Sequence, residues 1–301
     1  MRRLSLLSLV VVLSWPSITF GWGAFGHTMI GQVAAKGLPE AMPMFFRAAS
    51  DQLAFLNLEP DRWRDTREQT YGPWLNGSIK DHHVLLDLVP SDILGAPDRY
   101  TYLDLLAKRG IISPIRNGPV PGLLHLRILE LTQQVRIGFR RWRETSDPRE
   151  RTWIEARIID DAGVLGHYVA DAANPHHTTV HMFGWFGPNP EGYATDEEFH
   201  GRFESQYVES HIKLPDVLEK LPPEPRVFRD LKTANLQHLE RSHSLVKRLY
   251  QLDGQERFSR STAGTEHKEF TTERLVDAAT MLRDLWWSAW VTSGETAPTK
   301  P

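Results

Sequence analysis

The chain has 301 residues, no cysteine, 13 histidines, and 35 basic against 38 acidic residues, for a formal charge of −3. This excludes a disulfide-stapled fold and a strongly basic nucleic-acid scaffold, and leaves length for one large domain or two small ones. Without thiolates, a zinc site must use imidazole, carboxylate and backbone ligands.

Residues 1–21 begin with Arg2 and Arg3, run apolar from Leu4 to Leu13, and place Thr19 and Gly21 before a cut. This pattern predicts a signal peptide and a mature chain starting at Trp22, secreted or periplasmic. The apolar run is short of the roughly 20 residues that span a membrane, so no transmembrane anchor is expected after processing. "TMIGQVAAKGL" then has Ile30, Val33, Ala34 and Leu38 at helical spacing, and "EAMPMFFRAASDQLAFL" continues as helix. "HHVLLDLV" is the one β-like run. "VPGLLHLRILELTQQVRIGFRRW" aligns Leu124, Ile128, Leu131 and Val135 on one side of a long helix. "RTWIEARIIDDAGVLGHYVADAA" is another, stopped by Pro175. "TDEEFHGRFESQYVESHI" has an acidic first turn. Two further helical stretches, from Arg229 and from Thr271, close the chain, and loops are expected at 184–192, 213–226 and 252–265. The pattern predicts an all-α, single-domain multi-helix bundle over 22–301.

Several short elements carry metal-ligand chemistry. In "HYVADAANPHH", His167 and Asp171 are i and i+4 on one helix face, and His177 returns after Pro175. Imidazole, carboxylate and imidazole at a helix end suit zinc, although a solvated His–Asp pair would give the same spacing. "EEFHGRFES" repeats the device with His200 and Glu204. "EPDRWRD" offers Asp61, which could equally cap a helix or pair with Arg62 or Arg64. "IKDHHVLLD" offers His82 or His83. At Trp22 a free α-amino group, with an ordinary pKa of about 7.7–8.0, can be deprotonated by a metal and chelate it together with the carbonyl. His27 follows five residues later.

In this order the motifs resemble those of the zinc-dependent phospholipase C and single-strand-specific nuclease superfamily, whose members are all-α, secreted and hold three zinc ions. "WGAFGH" looks like the mature start of the nuclease branch. "HYVADAANPHH" is similar to the family's H-x3-D-x5-H element, and "FHGRFES" to the phospholipase branch's FHxxxE. "DRWR", "DHHV" and the final "RLVDAATMLRDLWW" also resemble family elements. The resemblance implies one zinc on Asp61, His82, His167 and Asp171, and a second on His177, His200 and Glu204. A third would lie on the Trp22 amino nitrogen and carbonyl, His27, and Asp171 as a bridge. Asp61 and Asp171 carry the expected catalytic role. This chain departs from the family at His83, which competes with His82, and at His176, Phe25 and the Leu-Glu-Pro before Asp61.

The expected reaction is hydrolysis of a phosphodiester, with a lean toward phospholipids from Glu204 and the last helix, and single-stranded nucleic acid as the alternative substrate. An exported helical binding protein with structural zinc is the alternative from another class. "HMFGWFGPNPEGY" should border the site, where Phe183, Trp185 and Phe186 could stack a base, meet lipid or pack locally. Arg62, Arg64 and Lys80 are candidate phosphate contacts or solvated surface. The chain is expected to act as a monomer without a protein partner.

Overall fold

The computed structural model describes residues 22–72, 74–112 and 121–295, excepting the side chains of 69 and 74–77. The expected export signal at 1–21 lies outside the described residues. Among the described residues every regular element is helical and none is a strand. No described helix is long and apolar enough to cross a membrane.

The first elements are α1 (Gly23–Lys36), α2 (Met44–Ala48), α3 (Ser50–Leu56) and α4 (Glu59–Arg62). The helix expected over 40–56 is therefore split. Pro43 stands before α2, and Ala49 ends one short helix and opens the next. A 3-10 segment at Trp74–His82 follows, then α5 (Ser91–Leu94) and α6 (Arg99–Lys108). "HHVLLDLV" forms no strand. It is an extended connection whose amides find single acceptors: Val84 and Leu86 donate to the carbonyls of His177 and Thr178, both at 2.9 Å. Those bonds hold His82 next to His177.

Two long helices make the frame: α7 (Leu124–Glu144) and α8 (Pro148–Ala173). Asp147 caps α8 by accepting from the amides of Arg149 and Glu150, at 2.7 and 3.2 Å, with Pro148 pre-set at the first helical position. From Asp161 to Ala173 every residue of α8 is buried. A helix buried on all sides is the centre of the fold. Its glycines and alanines admit close neighbours. A methyl group at Gly163 would sit 2.3 Å from Leu56 Cβ, and one at Gly166 2.6 Å from Asn57 Nδ2. Helices α1, α3 and α7 pack around α8.

The chain continues through α9 (Glu198–Gly201), a π-helical turn at Arg202–Tyr207 and α10 (Val208–His211), which run on without a break. Next come α11 (Leu214–Leu218), α12 (Leu231–Ser244), α13 (Val246–Gln255) and α14 (Thr265–Ser293). Helix α11 occupies part of the loop expected at 213–226. The long helix expected from Arg229 is divided at Leu245. Helix α14 begins six residues before the expected Thr271. At 29 residues it runs roughly 44 Å and packs along α1, α7 and α8. Its Trp286 is fully buried and donates its indole N–H to the Ala162 carbonyl at 3.1 Å.

Candidate metal centre

The site is built on the last turns of α8. Residues 170–173 lie in the final turn, where helix carbonyls lack intrahelical partners. Trp22 uses one of them: its indole N–H donates to the Ala170 carbonyl at 2.7 Å. Burying that ring removes roughly 150–250 Å² from water, about 4–6 kcal/mol as an upper bound. This contact sets the start of α1 against the C-terminal end of α8. Gly23 turns the chain with φ +57°, and a methyl group at Gly26 would press to 2.8 Å from Trp22 Cβ. The glycines of "WGAFGH" are thus needed for the backbone path. His27 emerges one turn into α1, fully buried.

Among the described residues, three groups of side chains could hold a metal ion: His27, His167 and Asp171; Asp61, His82 and His167; and His177, His200 and Glu204. All are buried except Asp61, which is partly so. Two ligands at about 2.0–2.1 Å from a tetrahedral ion stand about 3.3 Å apart. Most of the donor pairs here, His200 with Glu204 excepted, are spaced near that value. His167 Nε2 is 3.3 Å from Asp171 Oδ2, and His82 Nδ1 is 3.0 Å from the same oxygen. His27 Nε2 lies 3.5 Å from Asp171 Oδ1, so the two oxygens of Asp171 face different groups. His177 Nε2 is 3.2 Å from His200 Nε2, and Glu204 Oε2 is 2.5 Å from the latter.

The outer hydrogen bonds explain why these nitrogens are aimed inward. His167 Nδ1–H donates to the Asn57 carbonyl at 2.8 Å, and His27 Nδ1–H to the Asn57 side-chain oxygen at 3.0 Å. His177 Nδ1–H donates to the His82 carbonyl at 2.5 Å, and His200 Nδ1–H to the Met182 carbonyl at 2.9 Å. Four imidazoles therefore spend Nδ1–H on a carbonyl oxygen and present the Nε2 lone pair. This is the arrangement that orients metal-ligating histidines. His82 is the exception and presents Nδ1.

The donor set fits a divalent cation on a second ground. Asp61 Oδ2, Asp171 Oδ1 and Glu204 Oε1 are buried without a hydrogen-bond partner among the described residues. Each such group costs about 1–3 kcal/mol unless something satisfies it. Burial pushes the Glu204 carboxyl up to about 8, despite the neighbouring His177. It pushes His200 down to about 4, and His167 well below the ordinary imidazole value, so those rings are uncharged near neutral pH. Nitrogen and oxygen donors without sulfur suit borderline and hard divalent ions.

The structure brings His27, Asp61, His82, His167, Asp171, His177, His200 and Glu204 into these groups. His82, not His83, joins them. The backbone nitrogen of Trp22 lies 3.1 Å from His27 Nε2, to which it donates, and the Trp22 carbonyl accepts from Gly26 as the first bond of α1. His176 joins no group. Its ring is buried and stacks on His200, with centroids 4.8 Å apart, among the edges of Phe199, Phe203 and Tyr250. Glu204 sits on the π turn, a local widening frequent at functional sites. Arg64 contacts Asp61 at 3.2 Å, whereas Arg62 pairs with Glu59 and lies over Phe55. In the expected border loop, Phe183 stacks on His200 with centroids 5.3 Å apart, Trp185 packs on His181 and Tyr250, and Phe186 is exposed.

Asn57 was invisible to sequence reasoning, because its role is set by where α3 ends. Its nearest signal lies in Gly31 and Gly166, which make room for its amide. No protein-family model matches the chain, and no curated protein matches it significantly.

Proposed function

We propose that this chain is an exported, zinc-dependent phosphodiesterase, acting on phospholipids in the manner of a phospholipase C. The observation that carries the reading is the gathering of three donor groups at one helix end, two of them joined through His167 and flanked by the two oxygens of Asp171, with carboxylate oxygens left unsatisfied. One nitrogen of His167 cannot serve two ions. The donors therefore divide into Asp61, His82, His167 and Asp171 Oδ2; His27 and Asp171 Oδ1; and His177, His200 and Glu204. The last set supplies three protein donors, one fewer than a closed structural zinc site uses. That supports catalysis over a purely structural role. Bound zinc would lower the pKa of an associated water toward about 7 and absorb phosphate charge.

The chain's own residues orient and shield. Asn57, His82 and Met182 fix the imidazoles through their oxygens, and burial keeps bulk water from the donors. Asp61 offers an unpartnered Oδ2. No nucleophilic side chain is required, and the products would be an alcohol and a phosphomonoester.

Trp22 adds a maturation requirement. Joined to Gly21, its nitrogen is an amide that donates to His27 Nε2. Freed by cleavage, it becomes an amine with a lone pair, adjacent to His27. Mature protein starting at Trp22 should therefore bind more zinc than the same chain extended by one methionine. Equal zinc content and equal turnover in the two forms would refute this.

A second substrate reading rests on Phe183, which is 40% exposed beside His200 and can stack a nucleobase. Parallel assays of the zinc-loaded mature protein on phosphatidylcholine vesicles and single-stranded DNA separate the two. Phosphorylcholine release identifies the first, and shortened DNA the second. Neither product, from protein shown to carry zinc, refutes the phosphodiesterase proposal.

A further inference from the structure

A cavity of about 580 Å³ lies between α12, α14 and the connection that precedes α12, and shares no residue with the metal groups. Four cations line it, Lys220, Arg226, Arg241 and Arg274, against three carboxylates. The carboxylates do not balance them. Asp284 is taken by the neighbouring Arg283, whose guanidinium reaches its Oδ1 at 2.8 and 3.0 Å. Asp277 is shared: His238 Nδ1 stands 3.4 Å away, and Arg241 and Arg274 each 3.7 Å. Glu273 is exposed at the rim. Lys220 forms no ion pair among the described residues, and Arg226, whose backbone N–H donates to Asp284, shares that one carboxylate with Arg283.

Two buried donors also lack acceptors. Arg274 Nε and Thr280 Oγ1 are inaccessible to solvent and make no hydrogen bond among the described residues, and the acceptor Asp277 Oδ2 is likewise buried without one. The cations around this concavity outnumber its carboxylates, which makes it complementary to an oxyanion. The volume falls in the range of small-molecule sites, far larger than a bare phosphate requires. Phe228, Val276 and Met281 supply an apolar part of the wall.

We infer that this cavity is a binding site for a small phosphomonoester. The phosphate meets the exposed side chains of Lys220 and Arg226, and the organic body lies on Phe228 and Met281. The inference stands independently of what the metal groups hold.

Calorimetric titration of the full chain with glycerol 3-phosphate tests it, on zinc-loaded and on chelator-treated protein. One binding event should be common to both states. It should weaken roughly tenfold or more in the Lys220→Ala/Arg226→Ala double variant. Both side chains are exposed, so that variant should unfold at the parent's temperature. Inorganic phosphate should bind more weakly than the ester. Binding unchanged in the double variant, or binding that vanishes when zinc is removed, overturns the proposal. Inorganic phosphate binding as tightly as the ester overturns the assignment to an organic phosphate.

Discussion

Asn57→Leu separates metal binding from folding. The substitution keeps the side chain's branching and heavy-atom count and deletes the oxygen that accepts from His27 Nδ1 at 3.0 Å, while the backbone carbonyl that holds His167 remains. In the metal-free chain two effects oppose each other. His27 Nδ1–H becomes a buried donor without a partner, costing about 1–3 kcal/mol. Asn57 Nδ2, already buried without an acceptor, is removed and returns a similar sum. The net change in stability should lie within about 1 kcal/mol. Metal affinity has no such compensation, because His27 loses the bond that sets its tautomer and ring orientation. Loss of such an outer partner costs about 10–100-fold in affinity. Competitive titration of the full chain against a chromophoric zinc chelator gives the affinity, and urea unfolding of chelator-stripped protein gives the stability. Zinc affinity within about twofold of the parent, in a variant that unfolds at the parent's urea concentration, would refute the role given to Asn57.

Three other perturbations test different parts of the molecule. With Glu204 raised to about 8, its carboxyl is protonated at pH 7 in metal-free protein, so zinc loading should expel a proton; calorimetry in buffers of different ionisation enthalpy should show it, and Glu204→Gln should release fewer. Burial works to raise Asp277, but His238, Arg241 and Arg274 outweigh it and hold its carboxyl at about 2, below the ordinary 3.8. A lowered carboxyl stabilises the fold above its unfolded pKa. About 2 kcal/mol should therefore be lost as pH falls from about 5 toward 2, and urea midpoints of Asp277→Asn should lack that share of the acid dependence. Gly23→Ala forces a side chain onto φ +57° and to 2.6 Å from Ser205 Oγ. It should cost about 1–2 kcal/mol in thermal unfolding and reduce zinc content by displacing Trp22; an unchanged melting temperature would contradict the tight fit.

Much of the helical content was legible because its causes are local. Asp147 and Pro148 open α8, Pro175 closes off its continuation, and apolar spacing marks α7. The misplaced boundaries were those that packing decides. Val84 and Leu86 have strand-like character, yet their amides meet one turn of chain at His177–Thr178 rather than a partner strand. The 252–265 loop is shortened mainly at its front, because α13 runs on to Gln255, and α14 starts at its last residue, Thr265, where His267 finds the carbonyls of Leu252 and Glu256.

At the centre, sequence alone determined the inventory of donors and two of their pairings. His167 with Asp171 and His200 with Glu204 are four residues apart, and helical geometry does the rest. It could not determine which of two adjacent histidines turns inward, because that depends on the bonds around His82 and His83. Nor could it show that residues 27, 61, 82, 167 and 171 meet. That convergence follows from burying α8 on every side, which draws α1, α3 and the 74–82 segment against one helix end. Asn57 and the carbonyls of His82 and Met182 have no sequence signature, since a hydrogen-bond acceptor gains its role only from where the chain places it.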